Sequence, residues 1–259
     1  MAELNNAEAV KKQYASSGNL GKRISIHAKY STNPQGFGNW IAEHYRFPAG
    51  AAVLELGCGT GDSWRGRDGL IRSCSRLVLS DFSEGMLRTA EETLRDYPGI
   101  EFRVIDIQEI PFEDHSFDAV IANMMLYHVP DLRRGLAEVR RVLKPGGIFC
   151  CATYGENGIM EYLCSLFGRE DLIAQANHSF TLQNGGERLR DFFRDVTRYD
   201  YPDSLAVTDV RDLADYVRSL TGMADFRNIP EEEMLAVFTA NMKDGVLSVP
   251  KEYGMFVCR

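Results

Sequence analysis

Short apolar runs alternate with amphipathic stretches along most of the chain. The first, Val53 to Leu56, is apolar apart from Glu55, which is typical of a parallel strand covered on both faces. Similar runs predict strands over 76–80, 102–105, 117–122, 148–153, 196–201 and 253–258. Apolar residues at helical spacing alternate with these strands, so the pattern predicts an α/β fold.

The helices are predicted from their apolar stripes and from residues that start or stop them. Ser83 is a candidate N-cap for a helix continuing to about Tyr97, and Lys144-Pro-Gly-Gly147 ends another that begins at Asp131. No strong β pattern occurs in residues 155–193, which predicts a helical insertion after the fifth strand. Further helices are predicted over 7–16, 39–45, 159–176, 187–193, 209–219 and 230–241.

Three glycines follow the first strand, at Gly57, Gly59 and Gly61. They allow a sharp turn and a close approach of the backbone to a ligand. A dinucleotide-binding turn needs its third glycine at position 62, where this chain has Asp62. A carboxylate there disfavours a diphosphate and favours a cationic ligand without phosphate. S-adenosylmethionine, with its sulfonium and ammonium groups, fits that description.

An acidic residue ends the second predicted strand. Asp81 lies 24 residues after Gly57, where a carboxylate accepts hydrogen bonds from both hydroxyls of a ribose. Asp106-Ile107 follows the third strand and Asn123 follows the fourth. The carboxyl ends of successive strands therefore carry the candidate ligand-binding residues.

With these motifs in this order, the chain resembles the class I S-adenosylmethionine-dependent methyltransferases, in particular the small-molecule branch with ubiquinone-biosynthesis-type motifs. The resemblance covers about residues 51 to 154. It rests on the E-x-G-x-G-x-G turn, on Asp81, on Asp106-Ile107, on the segment from Phe117 to Asp131, and on Leu143-Lys-Pro-Gly-Gly147.

The resemblance implies a Rossmann-like sheet of order 3-2-1-4-5-7-6 whose last-added strand is antiparallel. It also implies that Glu55 and the glycines line the methionine portion of the cofactor and that Asp81 holds the ribose. Asp106 would bind the adenine amino group, Ile107 would contact the ring, and the backbone of Asn123 would lie near the ammonium. The candidate cofactor residues are Glu55, Gly57, Cys58, Gly59, Gly61, Asp81, Phe82, Asp106, Ile107, Asn123 and Tyr30.

Two regions outside the cofactor motifs are expected to form the acceptor site. Residues 1–50 are predicted to form a helical cap or lid, and residues 51–259 a methyltransferase domain with the helical insertion at about 155–193. Related enzymes often present a tyrosine from the lid, which makes Tyr30 a candidate here. The candidate acceptor-site residues are His27, Tyr127, His128 and Tyr154.

Methyl transfer from a sulfonium is an in-line displacement with an activated leaving group. The protein mainly aligns the reactants and excludes water, and a base helps only when the acceptor carries a proton at neutral pH. His128, in the loop after strand four, is the candidate base; the alternative is a histidine that only packs in that loop. His27 and His178 are weaker candidates.

Composition limits the other classes of function. The formal net charge of −8 argues against a nucleic-acid partner. No membrane span and no secretory signal is expected, and the six cysteines show no C-x-x-C pair, so a cytoplasmic location with reduced thiols and no metal site is predicted. The acceptor and the oligomeric state stay open. The alternatives are a protein or RNA methyltransferase and a non-catalytic cofactor-binding protein.

Overall fold

A mixed sheet of seven strands forms the centre of the computed structural model, which describes residues 25–173, 177–219, 226 and 228–259. The strand order is β3-β2-β1-β4-β5-β7-β6, so the predicted order is confirmed. The first five strands are parallel, and β7 is antiparallel to both of its neighbours. The strands are β1 (Ala52–Leu56), β2 (Arg76–Asp81), β3 (Ile100–Val104), β4 (Phe117–Ile121), β5 (Leu143–Tyr154), β6 (Val196–Val207) and β7 (Leu247–Cys258).

Helices connect the strands and cover the sheet. Ser83 and Asp131 cap two of them, since their side chains accept hydrogen bonds from the backbone N–H of Met86 and Arg134. Residues 25–30 are also helical, and short 3₁₀ turns occupy Asp62–Trp64 and Leu126–His128. The helices are α1 (Phe37–Glu43), α2 (Asp68–Ser73), α3 (Glu84–Thr93), α4 (Leu132–Val142), α5 (Ile159–Leu166), α6 (Glu170–Ile173), α7 (Gly185–Arg190), α8 (Val210–Ser219) and α9 (Glu231–Ala240).

Alternate residues of the central strands enter two different cores. Val53 packs with α1 and α3 on one face of the sheet, whereas Leu54 packs with α4 on the other. The neighbouring Cys150 and Cys151 divide in the same way, and all six cysteines are free. The strands are apolar on both faces because both faces are covered.

A third core lies at the distal end of the sheet, between the antiparallel pair β6–β7 and helices α5, α8 and α9. We call it the distal core; Leu205, Val249 and Phe238 are among its buried residues. Its helices are the ones that follow β5 and β6, so the helical insertion is packed beside the sheet. None of the helices in the described residues is long and apolar enough to cross a membrane.

The structure differs from the sequence expectations mainly in the lengths of elements. Strands β6 and β7 pair over twelve residues each, far beyond 196–201 and 253–258, because their antiparallel backbone pairing continues through polar residues such as Asp203 and Ser204. The predicted helix 159–176 is interrupted, because α5 ends at Leu166, just before Gly168 with its φ of +61°, and α6 begins at Glu170. The predicted helix 7–16 and the end of the 159–176 helix lie outside the described residues.

Part of the predicted N-terminal cap is joined to the far edge of the sheet. The backbone N–H of Thr32 donates to the Ser204 carbonyl, and Ser31 pairs with Leu205 in an isolated bridge. The Asp203 carboxylate accepts hydrogen bonds from Ser31 Oγ and from the Asn33 backbone N–H. Residues 31–33 are therefore anchored on β6, next to the distal core.

Candidate active site

The glycine turn between β1 and α2 has a conformation that L side chains disfavour. The φ angles of Gly57, Gly59 and Gly61 are +73°, +58° and +75°. Their surroundings differ. A Cβ atom on Gly59 would meet nothing within 4 Å, whereas one on Gly57 would lie 2.9 Å from Met125 Cβ and one on Gly61 would lie 3.0 Å from Leu94 Cδ1.

These surroundings correct the expectation that all three glycines clear space for a ligand. Gly61 lies against α3, so its missing side chain allows the turn to pack on the helix. Only the Cβ position of Gly59 opens into free space. Gly59 is therefore the glycine suited to a ligand, whereas Gly57 and Gly61 are required by the packing and the backbone conformation of the turn.

Asp81, at the end of β2, holds this turn in place. Its Oδ2 accepts a hydrogen bond of 2.9 Å from the backbone N–H of Gly59, and its Oδ1 accepts one of 2.8 Å from that of Ser83. Burial raises the pKa of the carboxyl, and the three backbone N–H donors around it oppose that rise. A carboxylate oxygen accepts more than one hydrogen bond, so the group retains capacity for ribose hydroxyls.

Cys58 and Phe82 flank these residues. The backbone N–H of Cys58 donates to the Ser80 carbonyl at 2.8 Å, which ties the turn to β2. Burial raises the pKa of the Cys58 thiol well above its ordinary value, so the group is a neutral thiol and not a nucleophile. Phe82 is half-buried beside Asp81.

Glu55 is a buried carboxyl group beneath the turn. Its side chain is 2% exposed, and its Oε2 accepts a 2.5 Å hydrogen bond from Trp64 Nε1. Burial raises the pKa of Glu55 to about 7, with a smaller rise from the charge of Asp81. The Trp64 indole was missed as a site residue, since the sequence around it showed only an irregular helix start. Glu55 is therefore poised to ionise when a cation binds nearby.

Replacing this carboxyl by an amide is expected to change the pH dependence of stability. A carboxyl group with a raised pKa in the folded state stabilises the fold at low pH, and that contribution is lost as the pH rises from 4.5 through about 7. Glu55→Gln keeps an acceptor for Trp64 and cannot ionise. The difference in the free energy of unfolding between this variant and the wild type should therefore shift in favour of the variant by up to about 3 kcal/mol as the pH rises from 5 to 8.

Urea denaturation at several pH values measures this difference. Glu92→Gln is the matched control, because the Glu92 side chain is 73% exposed and should show no such trend. Parallel pH profiles for the wild type and Glu55→Gln would contradict the raised pKa.

Asn123, after β4, presents an unused acceptor at the same edge of the sheet. Its Nδ2 donates a 2.7 Å hydrogen bond to the hydroxyl oxygen of Tyr45. Its Oδ1 is buried and has no hydrogen-bond partner in the part of the chain that the structure describes. A buried carbonyl without a donor costs about 1–3 kcal/mol, so this atom is suited to a donor supplied by a ligand.

The carboxyl ends of β1, β2 and β4 form one edge of the sheet, which we call the cofactor edge. Tyr45, from the N-terminal segment, contacts this edge, a role that was expected of Tyr30. Tyr30 lies instead in the distal core, where its hydroxyl donates a 2.5 Å hydrogen bond to Asp212 on α8. The apolar packing of Tyr30 against α8 explains this placement. Sequence patterns gave no signal for Tyr45, because its role depends on a contact with a residue 78 positions away.

Asp106 and Ile107 follow β3. Asp106 Oδ1 accepts a 2.8 Å hydrogen bond from the backbone N–H of Gln108 and a second from its side chain. The Ile107 side chain packs in the core, 3.3 Å from the Cβ position of Gly135 on α4. The side chain is thus largely taken up by packing against α4, which favours the backbone of Ile107 as the candidate contact with an adenine ring.

The four candidate acceptor-site residues lie along one aromatic series. The ring centroids of Tyr127 and His128 are 4.5 Å apart, and those of Tyr127 and Tyr154 are 4.7 Å apart. Tyr154 pairs with Tyr253 across β5 and β7, and the Tyr253 ring lies 5.8 Å from that of His27. The structure therefore brings these four residues together, joined by Tyr253, which sequence reasoning had placed only in a strand.

His27 is a neutral imidazole in this series. Burial, and to a lesser extent the charge of Lys251, lower its pKa to about 4 against an opposing effect of Asp203. Lys251 and Asp203 form an ion pair whose side chains are 2% and 0% exposed. This pair lies behind the aromatic series and fixes β6 against β7.

His128 ends the 3₁₀ turn Leu126–His128, and its backbone N–H donates to the Met125 carbonyl. The ring lies beside Tyr127, at the edge of the sheet where β4 ends. His178 lies in the helical insertion, with its Nε2 3.6 Å from Glu161 Oε1. Among the described residues no group of three or more His, Cys, Asp or Glu side chains is placed to hold a metal ion.

Sheet order, glycine turn and acidic strand end together define a class I methyltransferase fold. Residues 54–151 match the methyltransferase domain family. Over this part of its length the chain is therefore similar, in sequence and in sheet order, to the class I S-adenosylmethionine-dependent methyltransferases. Its methyltransferase domain is similar to that of the demethylmenaquinone methyltransferases.

One such relative is the demethylmenaquinone methyltransferase of Clavibacter sepedonicus, 43% identical over 99 residues, which are 38% of this chain and 39% of the relative. The chain thus matches well under half the length of that relative. The cyclase SpnF has a TM-score of 0.59 at 17% identity, with 98% of this chain and 96% of SpnF covered.

A Haemonchus contortus phosphoethanolamine N-methyltransferase in complex with S-adenosyl-L-methionine has a TM-score of 0.61 at 17% identity, with 100% of this chain and 60% of that chain covered. At this identity both structural similarities show the fold alone.

Proposed function

We propose that this protein is an S-adenosylmethionine-dependent methyltransferase that acts on a small-molecule acceptor. The observation that carries the proposal is the glycine turn. Gly59 opens into free space beside the Asp81 carboxylate, and the buried carboxyl of Glu55 lies beneath. Two acidic groups at such a turn favour a cationic nucleoside and disfavour a diphosphate.

The residues present fit that cofactor. Gly59 leaves the clearance, Asp81 offers acceptors for ribose hydroxyls, and Asn123 Oδ1 offers a buried acceptor for an ammonium group. When bound, the cofactor supplies a methyl group on a sulfonium, an activated leaving group. Asp106 and the backbone of Ile107 stay the candidates for the adenine ring.

The chain's own contribution to the reaction is alignment and exclusion of water. The aromatic series from His128 to Tyr253 forms a wall beside the carboxyl ends of β4 and β5. For an alcohol, phenol or carbon-acid acceptor, His128 is the candidate base, and the neutral His27 lies at the other end of the aromatic series. The predicted lid role of residues 1–50 and a cytoplasmic location stay predictions.

Calorimetry with S-adenosylhomocysteine, NAD and ATP tests the cofactor assignment. We expect micromolar binding of S-adenosylhomocysteine and none of the other two. Binding of NAD or ATP in its place would overturn the proposal.

Transfer of label from methyl-labelled S-adenosylmethionine into fractions of a cell extract tests the reaction. We expect label in small molecules and none in protein or RNA. SpnF is a cyclase on a similar fold, so fold alone does not establish methyl transfer. Cofactor binding without any transfer would favour a non-catalytic protein.

A further inference from the structure

A pocket opens where the aromatic series meets the helical insertion. We call it the acceptor pocket; the residues that line it include three tyrosines, Tyr154, Tyr216 and Tyr253, and two glutamates, Glu161 and Glu252. Tyr154 belongs both to this pocket and to the aromatic series beside the cofactor edge. The charged side chains that line it, among the described residues, are both acidic.

Amide and backbone donors hold the two carboxylates in place. Glu252 accepts hydrogen bonds of 2.7 Å from the Asn157 backbone N–H and 2.8 Å from Gln183 Nε2. Arg198 lies 3.8 Å from Glu252 and pairs more closely, at 2.7 Å, with Asp200. Glu252 is thus positioned by neutral donors and its charge is only partly offset.

Glu161 has a similar environment. Its Oε2 accepts a 3.0 Å hydrogen bond from the backbone N–H of Gly158, at the start of α5. Among the described residues it pairs with His178, whose Nε2 lies 3.6 Å from Oε1. Only 17% of the Glu161 side chain and 24% of the Glu252 side chain are exposed, so water screens both charges weakly.

Gly155 lies directly against the Glu252 carboxylate, so its lack of a side chain is required for Glu252 to take its position in the pocket wall. A Cβ atom on Gly155 would lie 2.1 Å from Glu252 Oε2, so only glycine leaves room for the carboxylate at this wall. Lys251 contacts the Tyr253 ring at 5.0 Å from its centroid, but its charge is balanced by the ion pair with Asp203.

We propose that the acceptor pocket binds the methyl acceptor as an alkylammonium ion, which makes the enzyme an N-methyltransferase. This inference rests on the proposed function. Tyrosine rings attract a cation through their π faces, and two partly buried carboxylates add the opposite charge. The pocket residues lie outside residues 54–151, so the family match carries no information about this acceptor.

The reaction then needs one proton to leave the acceptor. The ammonium N–H proton passes to the Glu161 carboxylate, and the freed nitrogen lone pair attacks the methyl carbon. An N–C bond forms as the C–S bond breaks, which leaves a methylated ammonium ion and a neutral thioether. Glu161 afterwards releases its proton to water.

Binding of choline and of its neutral analogue 3,3-dimethylbutan-1-ol, measured by calorimetry with and without S-adenosylhomocysteine, tests the charge preference. We expect choline to bind at least 10-fold more tightly. Equal binding of the two compounds, or no binding of choline, would overturn the inference. Binding of S-adenosylhomocysteine in the same experiment reports separately on the proposed function.

Variants test the residues. Tyr216→Leu and Glu161→Gln should each lower choline affinity at least 5-fold, whereas Tyr216→Phe, which keeps the ring, should not. All three should bind S-adenosylhomocysteine as the wild type does, which shows that the fold is intact. In turnover, labelled methyl should pass to 2-(dimethylamino)ethanol and not to phenol or a quinol; the reverse preference would contradict the inference.

Discussion

Asp81→Ala is expected to lower the affinity for S-adenosylhomocysteine by about 10- to 100-fold, or about 1–3 kcal/mol. The substitution removes the acceptor proposed for the ribose hydroxyls. It also removes the hydrogen bond that fixes Gly59, the glycine that opens into free space. Calorimetry measures the affinity, and urea denaturation measures the accompanying change in stability.

Two further variants separate the causes. Asp81→Asn keeps one acceptor oxygen without the charge and should lose less affinity than the alanine variant. Asp131→Ala removes another carboxylate that accepts a backbone hydrogen bond at a helix start, from Arg134. It should cost about 1 kcal/mol of stability and leave affinity unchanged. An Asp81→Ala protein with normal affinity would remove Asp81 from the site.

Substitutions of Gly59 and Gly61 by alanine are expected to affect different properties: Gly61→Ala mainly lowers stability, and Gly59→Ala mainly lowers cofactor affinity. Gly61→Ala should lower the free energy of unfolding by about 2–4 kcal/mol, because it combines a φ of +75° with a Cβ only 3.0 Å from Leu94 Cδ1. Gly59→Ala should lower it by about 1–2 kcal/mol, the cost of its φ alone. Its Cβ would occupy the ligand's space, so S-adenosylhomocysteine affinity should fall more than 10-fold.

Gly50→Ala is the matched control for both glycines. Gly50 has a φ of +79°, with nothing within 4 Å of its Cβ position, and it lies before β1. This variant should show the conformational cost with no loss of affinity. If Gly61→Ala and Gly59→Ala lost stability and affinity in equal measure, the division of roles within the turn would be wrong.

The network around Glu55, Trp64, Tyr45 and Asn123 connects the N-terminal segment to the cofactor edge. Tyr45 contacts Asn123. Burial raises the pKa of the Tyr45 hydroxyl well above its ordinary value, and the charge of the nearby Glu55 carboxyl raises it further. Arg67, for which the sequence offered no role, donates to the Gly38 carbonyl and to Asn39 Oδ1, and so fixes α1 to the glycine turn. The segment that contains α1 is therefore coupled to the cofactor edge through polar contacts.

The sequence by itself determined that the chain forms a sheet with the glycine turn, Asp81 and Asn123 at one edge. The order of the strands followed from the resemblance to the methyltransferase family. These features follow from local patterns, since an apolar strand, a glycine turn and a helix cap each involve residues close together in the chain.

Only the tertiary structure decided which residues meet across the fold. Tyr45 replaced Tyr30 at the cofactor edge, the Ile107 side chain proved to be core, and Gly61 proved to pack on a helix. The acceptor pocket joins Glu161 to Tyr216 and Glu252, which are far apart in the chain. Such contacts depend on how helices pack on the sheet, and side-chain packing between distant segments has no periodic signal in the sequence.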